Sequence, residues 1–189
     1  MGRWEPGASG RLRQAAMDLF DERGFDQTTV AEIADRAGLT ARTFFRYFAD
    51  KREVLFGGSE VLQEAMVEAV VQAPAGASPM PAVAAALDAA ADLLGERRDY
   101  ARRRYAVIEA HAELRERELI KMASLADALA RALRDRAVPE PDASLAAEAG
   151  IAVFRVAFSR WVGGDDGDLT ALMHDSLAHL GSVTATSTT

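Results

Sequence analysis

Residues Thr28–Lys51 read TTVAEIADRAGLTARTFFRYFADK, and this stretch decides the fold. Thr29 and Glu32 form a capping-box pattern, in which hydroxyl and carboxylate each satisfy a free amide donor at a helix start. Val30, Ile33, Ala34 and Ala37 then recur at helical spacing, so one face is buried. Gly38 supplies the backbone freedom for a sharp turn, with Leu39 filling the corner beneath it. Thr40 opens a second helix that buries Phe44 and Phe48 and leaves Ala41, Arg42, Thr43 and Arg46 facing outward. Two helices on so short a turn make a helix-turn-helix, and the second is sized for a DNA major groove.

Outward from this stretch the pattern stays helical. Arg11–Arg23 carries Leu12, Ala15, Ala16, Leu19 and Phe20 on one face and stops at Gly24. Lys51 is expected to open a longer helix reaching Gln72, with Leu55, Leu62, Ala65, Met66 and Ala69 inward. Its start lies beside the second helix of the motif and its end enters the next domain, which makes it a mechanical link. APAGASPMP at 73–81 breaks the chain, and helical patterns resume over 81–94, 99–110, 113–137, 142–162 and 168–180. The tail SVTATSTT is polar and expected to be disordered. The sequence therefore predicts an all-α fold of about nine helices: a three-helix DNA-binding domain at 1–52, a larger helical domain at 53–181, and a tail at 182–189.

A hydrophobic fraction of 49% with only 7% aromatics is aliphatic and alanine-rich, which favours helices over sheets. The absence of cysteine excludes disulfide and thiolate chemistry. MGRWEPGASGR at the N-terminus lacks the apolar run of a secretory signal, and no stretch approaches the ~18 apolar residues of a membrane span. The expectation is a cytoplasmic protein with no membrane partner. A net charge of −7 looks wrong for a DNA binder, but its distribution is uneven. Residues 1–52 hold nine Lys/Arg against eight Asp/Glu, and 53–189 hold thirteen against twenty-one. Four basic residues and one acid lie within Arg42–Arg52, and charges beyond a Debye length of ~8 Å are screened from phosphate.

The chain resembles the TetR-type transcriptional regulators. The resemblance rests on GF at Gly24–Phe25, TTVAEIADRAGLT at Thr28–Thr40, and FFRYF with DKREVL within Phe44–Leu55. It runs without a gap over about 45 residues, which makes it far more specific than a bare helix-turn-helix. It implies DNA contact by the outward face of Ala41, Arg42, Thr43 and Arg46, a pattern that by itself fits a solvated helix face equally well. It further implies backbone-phosphate contacts from Thr28, Thr29, Thr40, Tyr47 and Lys51, where ordinary capping also accounts for Thr29 and Thr40. Two positions depart from the family. Phe45 replaces a tyrosine that contacts phosphate, so it packs against a sugar or fills the core. Arg52 stands where an acid is usual. Arg3, Arg11 and Arg13 form either a basic arm near DNA or a solvated segment.

Two further constellations stand outside that motif. Ile151, Phe154, Phe158 and Trp161 make one stripe, and Leu169, Leu172, Met173, Ser176, Leu177 and Leu180 make a second on the last helix. Periodicity allows a private core. The resemblance implies a homodimer built on Ile151, Phe158, Trp161, Leu169, Leu172, Met173, Leu177 and Leu180. Arg97, Arg98, Arg102, Arg103 and Arg104 surround Tyr100 and Tyr105, as a solvated face or as a site for an anionic head group. RRRYAVIEAHAELRERELIKMASLADALARAL also resembles the ligand domain of a TetR subgroup responding to acyl-coenzyme A. A small apolar, acyl-type ligand is then expected near Arg103, Arg104, Tyr105, Ile108, His111, Phe154 and Phe158.

His111, His174 and His179 are scattered, with no pair at the spacing that shares a metal-binding helix face, and no phosphate loop or nucleophile elbow occurs. No cofactor and no catalytic residue are expected. The resemblance thus implies a ligand-responsive regulator, acting as a repressor on a near-palindromic double-stranded operator. The competing readings are a ligand-independent architectural DNA binder and a small helical enzyme or carrier.

Overall fold

The computed structural model describes residues 7–164 and 167–185. Among them the fold is all-α, as expected. Nine α-helices follow in order: α1 (Ala8–Arg23), α2 (Val30–Arg36), α3 (Ala41–Tyr47), α4 (Ser59–Gln72), α5 (Pro79–Leu94), α6 (Arg98–Ala110), α7 (Ala112–Asp135), α8 (Asp142–Gly163) and α9 (Leu169–Thr184). Short 3-10 turns occupy Glu53–Phe56 and Gly95–Arg97. The chain divides into two compact units: residues up to Ser59 with Arg103–Glu118, and Glu60–Arg102 with Leu119 onward.

In the first unit α1 supplies the floor, burying Leu12, Ala15, Ala16, Met17, Leu19 and Phe20. Onto it pack Ile33 and Ala34 of α2, Phe44 of α3, and Val54, Leu55 and Phe56 of the 3-10 turn. At seven residues each, α2 and α3 are far below the length at which an isolated helix persists in water, so tertiary packing holds them. Phe44 is fully buried and contributes about 1.5–3 kcal/mol by leaving water. The turn joining the helices requires Gly38, whose φ of +67° is a left-handed conformation that side chains resist. Leu39 N then donates to Ala34 O at 2.8 Å, closing the end of α2.

The expected helix from Lys51 to Gln72 is not continuous. Asp50 caps a 3-10 turn through Arg52 N at 2.8 Å and Glu53 N at 3.2 Å, and α4 starts only at Ser59. Gly57 and Gly58 lie between them, and two consecutive glycines carry nearly the largest backbone-entropy penalty against helix. The first unit also takes in residues 53–59 and 103–118, beyond the 1–52 expected from sequence.

In the second unit α5, α8 and α9 pack on one another, and their contact surfaces are rich in small residues. Ala82, Ala86 and Ala90 of α5 and Ala143, Ala146, Ala147, Gly150 and Ala157 of α8 are buried. α5 and α8 come close at Gly150, where an added Cβ atom would lie 2.4 Å from Val83 Cγ1. Residues 182–184, expected in the tail, instead continue α9, and the Thr184 hydroxyl donates back to Leu180 O at 2.8 Å. Residues 186–189 lie outside the described residues.

Candidate nucleic-acid interface

Two caps fix the start of each short helix. Thr29 N donates to Glu32 Oε2 at 2.9 Å and Glu32 N donates to Thr29 Oγ1 at 3.3 Å, completing the capping box. Thr40 Oγ1 accepts from Thr43 N at 3.2 Å and shares a hydrogen bond with the Thr43 hydroxyl at 3.1 Å. With Phe44 at 0% and Phe48 at 5% exposure anchoring α3 inward, Ala41, Arg42, Phe45, Arg46 and Tyr47 are left exposed. Thr43 is half-buried. Arg42, Thr43, Phe45 and Arg46 line one open depression on this face. Arg46 Nη2 donates to the Tyr47 hydroxyl at 3.1 Å, and its guanidinium lies 5.0 Å from the Tyr47 ring centre, so each orients the other.

Three candidate contacts have different surroundings. Phe45 does not fill the core: it is 57% exposed and touches Phe44 only edge-on, with ring centres 5.5 Å apart. Thr28 is 1% exposed, and its hydroxyl donates to Gly24 O at 2.9 Å and Leu19 O at 3.4 Å, locking the end of α1. Lys51 Nζ donates to Phe25 O, Asp26 O and Thr28 O at 2.7, 3.2 and 3.1 Å and sits 4.4 Å from the Phe25 ring centre. All three of its protons are therefore engaged by the α1–α2 loop. Arg52 is likewise engaged, by Asp50 at 2.8 Å and Glu113 at 3.4 Å. Hydrogen bonding from Arg52 holds the Asp50 carboxyl below its ordinary range. The outward positive charge of α3 thus narrows to Arg42 and Arg46. Arg11 is exposed on α1 and Arg13 half-buried, while Arg3 lies outside the described residues.

The arginine run has a role that periodicity could not reveal. Arg103 pairs with Asp18 at 2.9 Å and with Asp21, both on α1. Arg104 donates to Leu55 O at 2.6 Å, forks onto Glu118 at 3.1 and 2.8 Å, and lies 5.2 Å from the Phe56 ring centre. Arg117 pairs with Glu53. His111 contacts the Val107 carbonyl through Nδ1 at 2.8 Å and packs its ring 5.0 Å from Phe25. These groups knit the α6–α7 corner into the first unit, over sequence separations where no short-range pattern operates. Arg103 and Arg104 are thus paired within the first unit and are not a bare solvated face.

The expected ligand set is divided. Arg103, Arg104, Tyr105, Ile108 and His111 belong to the first unit, and Phe154 and Phe158 to the second, where their rings stack at 5.7 Å. The expected dimer stripe needs correction as well. Ile151, Trp161, Leu169, Leu172 and Met173 are at most 5% exposed within a single chain, so they have no surface left for a second copy. These five face the private core, where α5 packs against both α8 and α9. Phe158, Leu177 and Leu180 are half-buried, and Leu145, Val156 and Val183 are exposed. Among the described residues no three His, Asp or Glu side chains form a metal-binding group, and no helix is long and apolar enough to cross a membrane.

Comparison with known proteins agrees with this architecture. Residues 12–56 match the bacterial regulatory proteins of the tetR family, and residues 77–185 match the MftR C-terminal domain. The chain is 38% identical over 89 residues to the HTH-type transcriptional regulator TcmR of Streptomyces glaucescens, a match covering 47% of this chain and 38% of TcmR. It is 41% identical over 46 residues to the HTH-type transcriptional repressor KstR2 of Mycobacterium tuberculosis, covering 24% of this chain and 23% of KstR2. The chain thus spans well under half the length of these two relatives. Among solved structures it is similar to Thermus thermophilus FadR, a TetR-family repressor in complex with lauroyl-CoA, with a TM-score of 0.59, 25% identity, and coverage of 96% of this chain and 97% of that one. With both matched regions in place, the chain belongs to the TetR family of bacterial regulatory proteins.

Proposed function

We propose that this regulator is a repressor that binds a near-palindromic operator as a homodimer and is released by an apolar, acyl-type ligand. The observation that carries the DNA-binding half is the outward face of α3. Two arginines, a threonine and an aromatic ring converge on one open depression while Phe44 and Phe48 hold the helix from behind. Arginine forks suit guanine N7 and O6, and a helix of this size suits the major groove. Thr29, Thr40 and Tyr47 flank that face as phosphate contacts. Thr28 and Lys51 act one step back, by shaping the α1–α2 loop. Dimerisation uses the outer faces of α8, where Leu145 and Val156 are exposed, and α9, where Val183 is exposed. Two half-sites then lie one helical turn apart, ~34 Å, or a small multiple of it. Such a regulator works in the cytoplasm.

The acyl class is supported by the lauroyl-CoA held by T. thermophilus FadR, and repression by the repressor KstR2. Both α6 and α7 run without interruption from the second unit into residues 103–118 of the first. They join α4 as covalent routes by which ligand binding biases the DNA-binding unit, at a coupling of typically ~1–3 kcal/mol. The test is selection of bound DNA from a random pool, repeated with lauroyl-CoA present. An enriched palindrome lost on adding the acyl-CoA is the expected result. Enrichment indifferent to any acyl-CoA favours an architectural binder, and no enrichment removes the DNA-binding reading.

A further inference from the structure

Phe45 is the most exposed large apolar side chain of α3. A phenylalanine that is 57% exposed, set among Arg42, Thr43 and Arg46, leaves apolar surface in water without an internal partner for its outer edge. Its root is fixed by the edge-on contact with Phe44, so the ring is presented rather than loose. Arg42 precedes it by three residues and Arg46 follows it directly, and with Thr43 all four side chains share one depression. The matching occupant is apolar at its centre and rich in hydrogen-bond acceptors at its rim. In a major groove that combination is a thymine C5-methyl beside purine N7 and O6 atoms and phosphates. A phosphate alone does not fit, because the ring has no hydroxyl to donate.

We propose that Phe45 is a specificity-determining residue that packs on a thymine methyl in each operator half-site, with Arg42 and Arg46 engaging acceptors on either side. This rests on the reading of α3 as a DNA-reading helix and names the chemical group it reads. Packing of the ring on a deoxyribose is the alternative, and it is indifferent to a base methyl.

The experiment uses the full chain and the operator recovered by selection, with each thymine replaced singly by deoxyuridine, which removes only the methyl. One position per half-site is expected to weaken binding about fourfold, the equivalent of roughly 0.8 kcal/mol for one methyl-sized group buried. That loss should vanish in Phe45→Ala and persist in Phe45→Leu, both checked for unchanged thermal melting. A merely structural Phe45 lowers affinity for thymine and deoxyuridine operators by the same factor in Phe45→Ala, and that result overturns the proposal. Uniform insensitivity of the wild type to deoxyuridine overturns it too, while leaving the DNA-binding reading intact. Failure to recover any operator removes both.

Discussion

Arg42 and Arg46 hold the outward charge of α3, whereas Lys51 and Arg52, close by in sequence, hold the fold together. The distinction predicts opposite phenotypes. Arg42→Ala should cost about 1–3 kcal/mol on the preferred operator and relax base preference at one position per half-site, read by competitive binding against single-base variants. Unchanged specificity would remove Arg42 from the base-reading set. Lys51→Met should instead lower stability by about 1.5–3 kcal/mol through its lost charged hydrogen bonds, while the slope of affinity against salt stays near that of the wild type. A slope reduced by about one unit would make Lys51 a phosphate contact after all. Asp50 adds a pH dependence with a definite sign. Arg52 depresses its carboxyl, so its contribution is complete above the ordinary value of 3.8 and is lost as pH falls through the lower folded value. Asp50→Asn should accordingly flatten the acid limb of the stability profile, and an unaltered limb would contradict that account.

The helix-turn-helix was legible in the sequence because its determinants are local. The capping box, the left-handed Gly38 and the inward Phe44 all lie within a few residues of what they control. Thr29→Ala should therefore cost about 0.5–2 kcal/mol by urea unfolding, with no change meaning that the box seals nothing. The α6–α7 corner was not legible. Arg103 meets Asp18 and Asp21 across more than eighty residues, and no periodicity announces such a pairing. Lys51 carried a motif identity that fitted a phosphate contact, and only the fold shows its three carbonyl partners. The helical stripes of α8 and α9 showed which faces are apolar, but periodicity says nothing about whose surface covers them. Here α5 does.

The proposed dimer requires the molecule to keep its private core and its outer interface on different faces of the same helices. Val156 is 55% exposed on α8, and charge placed there should split the dimer without unfolding the chain. Val156→Arg is expected to sediment as a folded monomer, and a persistent dimer would place the interface elsewhere. Gly150 gives the contrasting case, since any larger residue drives its Cβ to 2.4 Å from Val83 and disrupts the α5–α8 contact itself. The central claim is that the face of Arg42, Phe45 and Arg46 reads DNA. Selection from a random duplex pool, run in parallel for wild type and Arg42→Ala, tests it most directly. The wild type should enrich a two-fold symmetric motif, and Arg42→Ala should lose preference at one symmetry-related pair of positions. An absent motif, or one identical for both proteins, would contradict it.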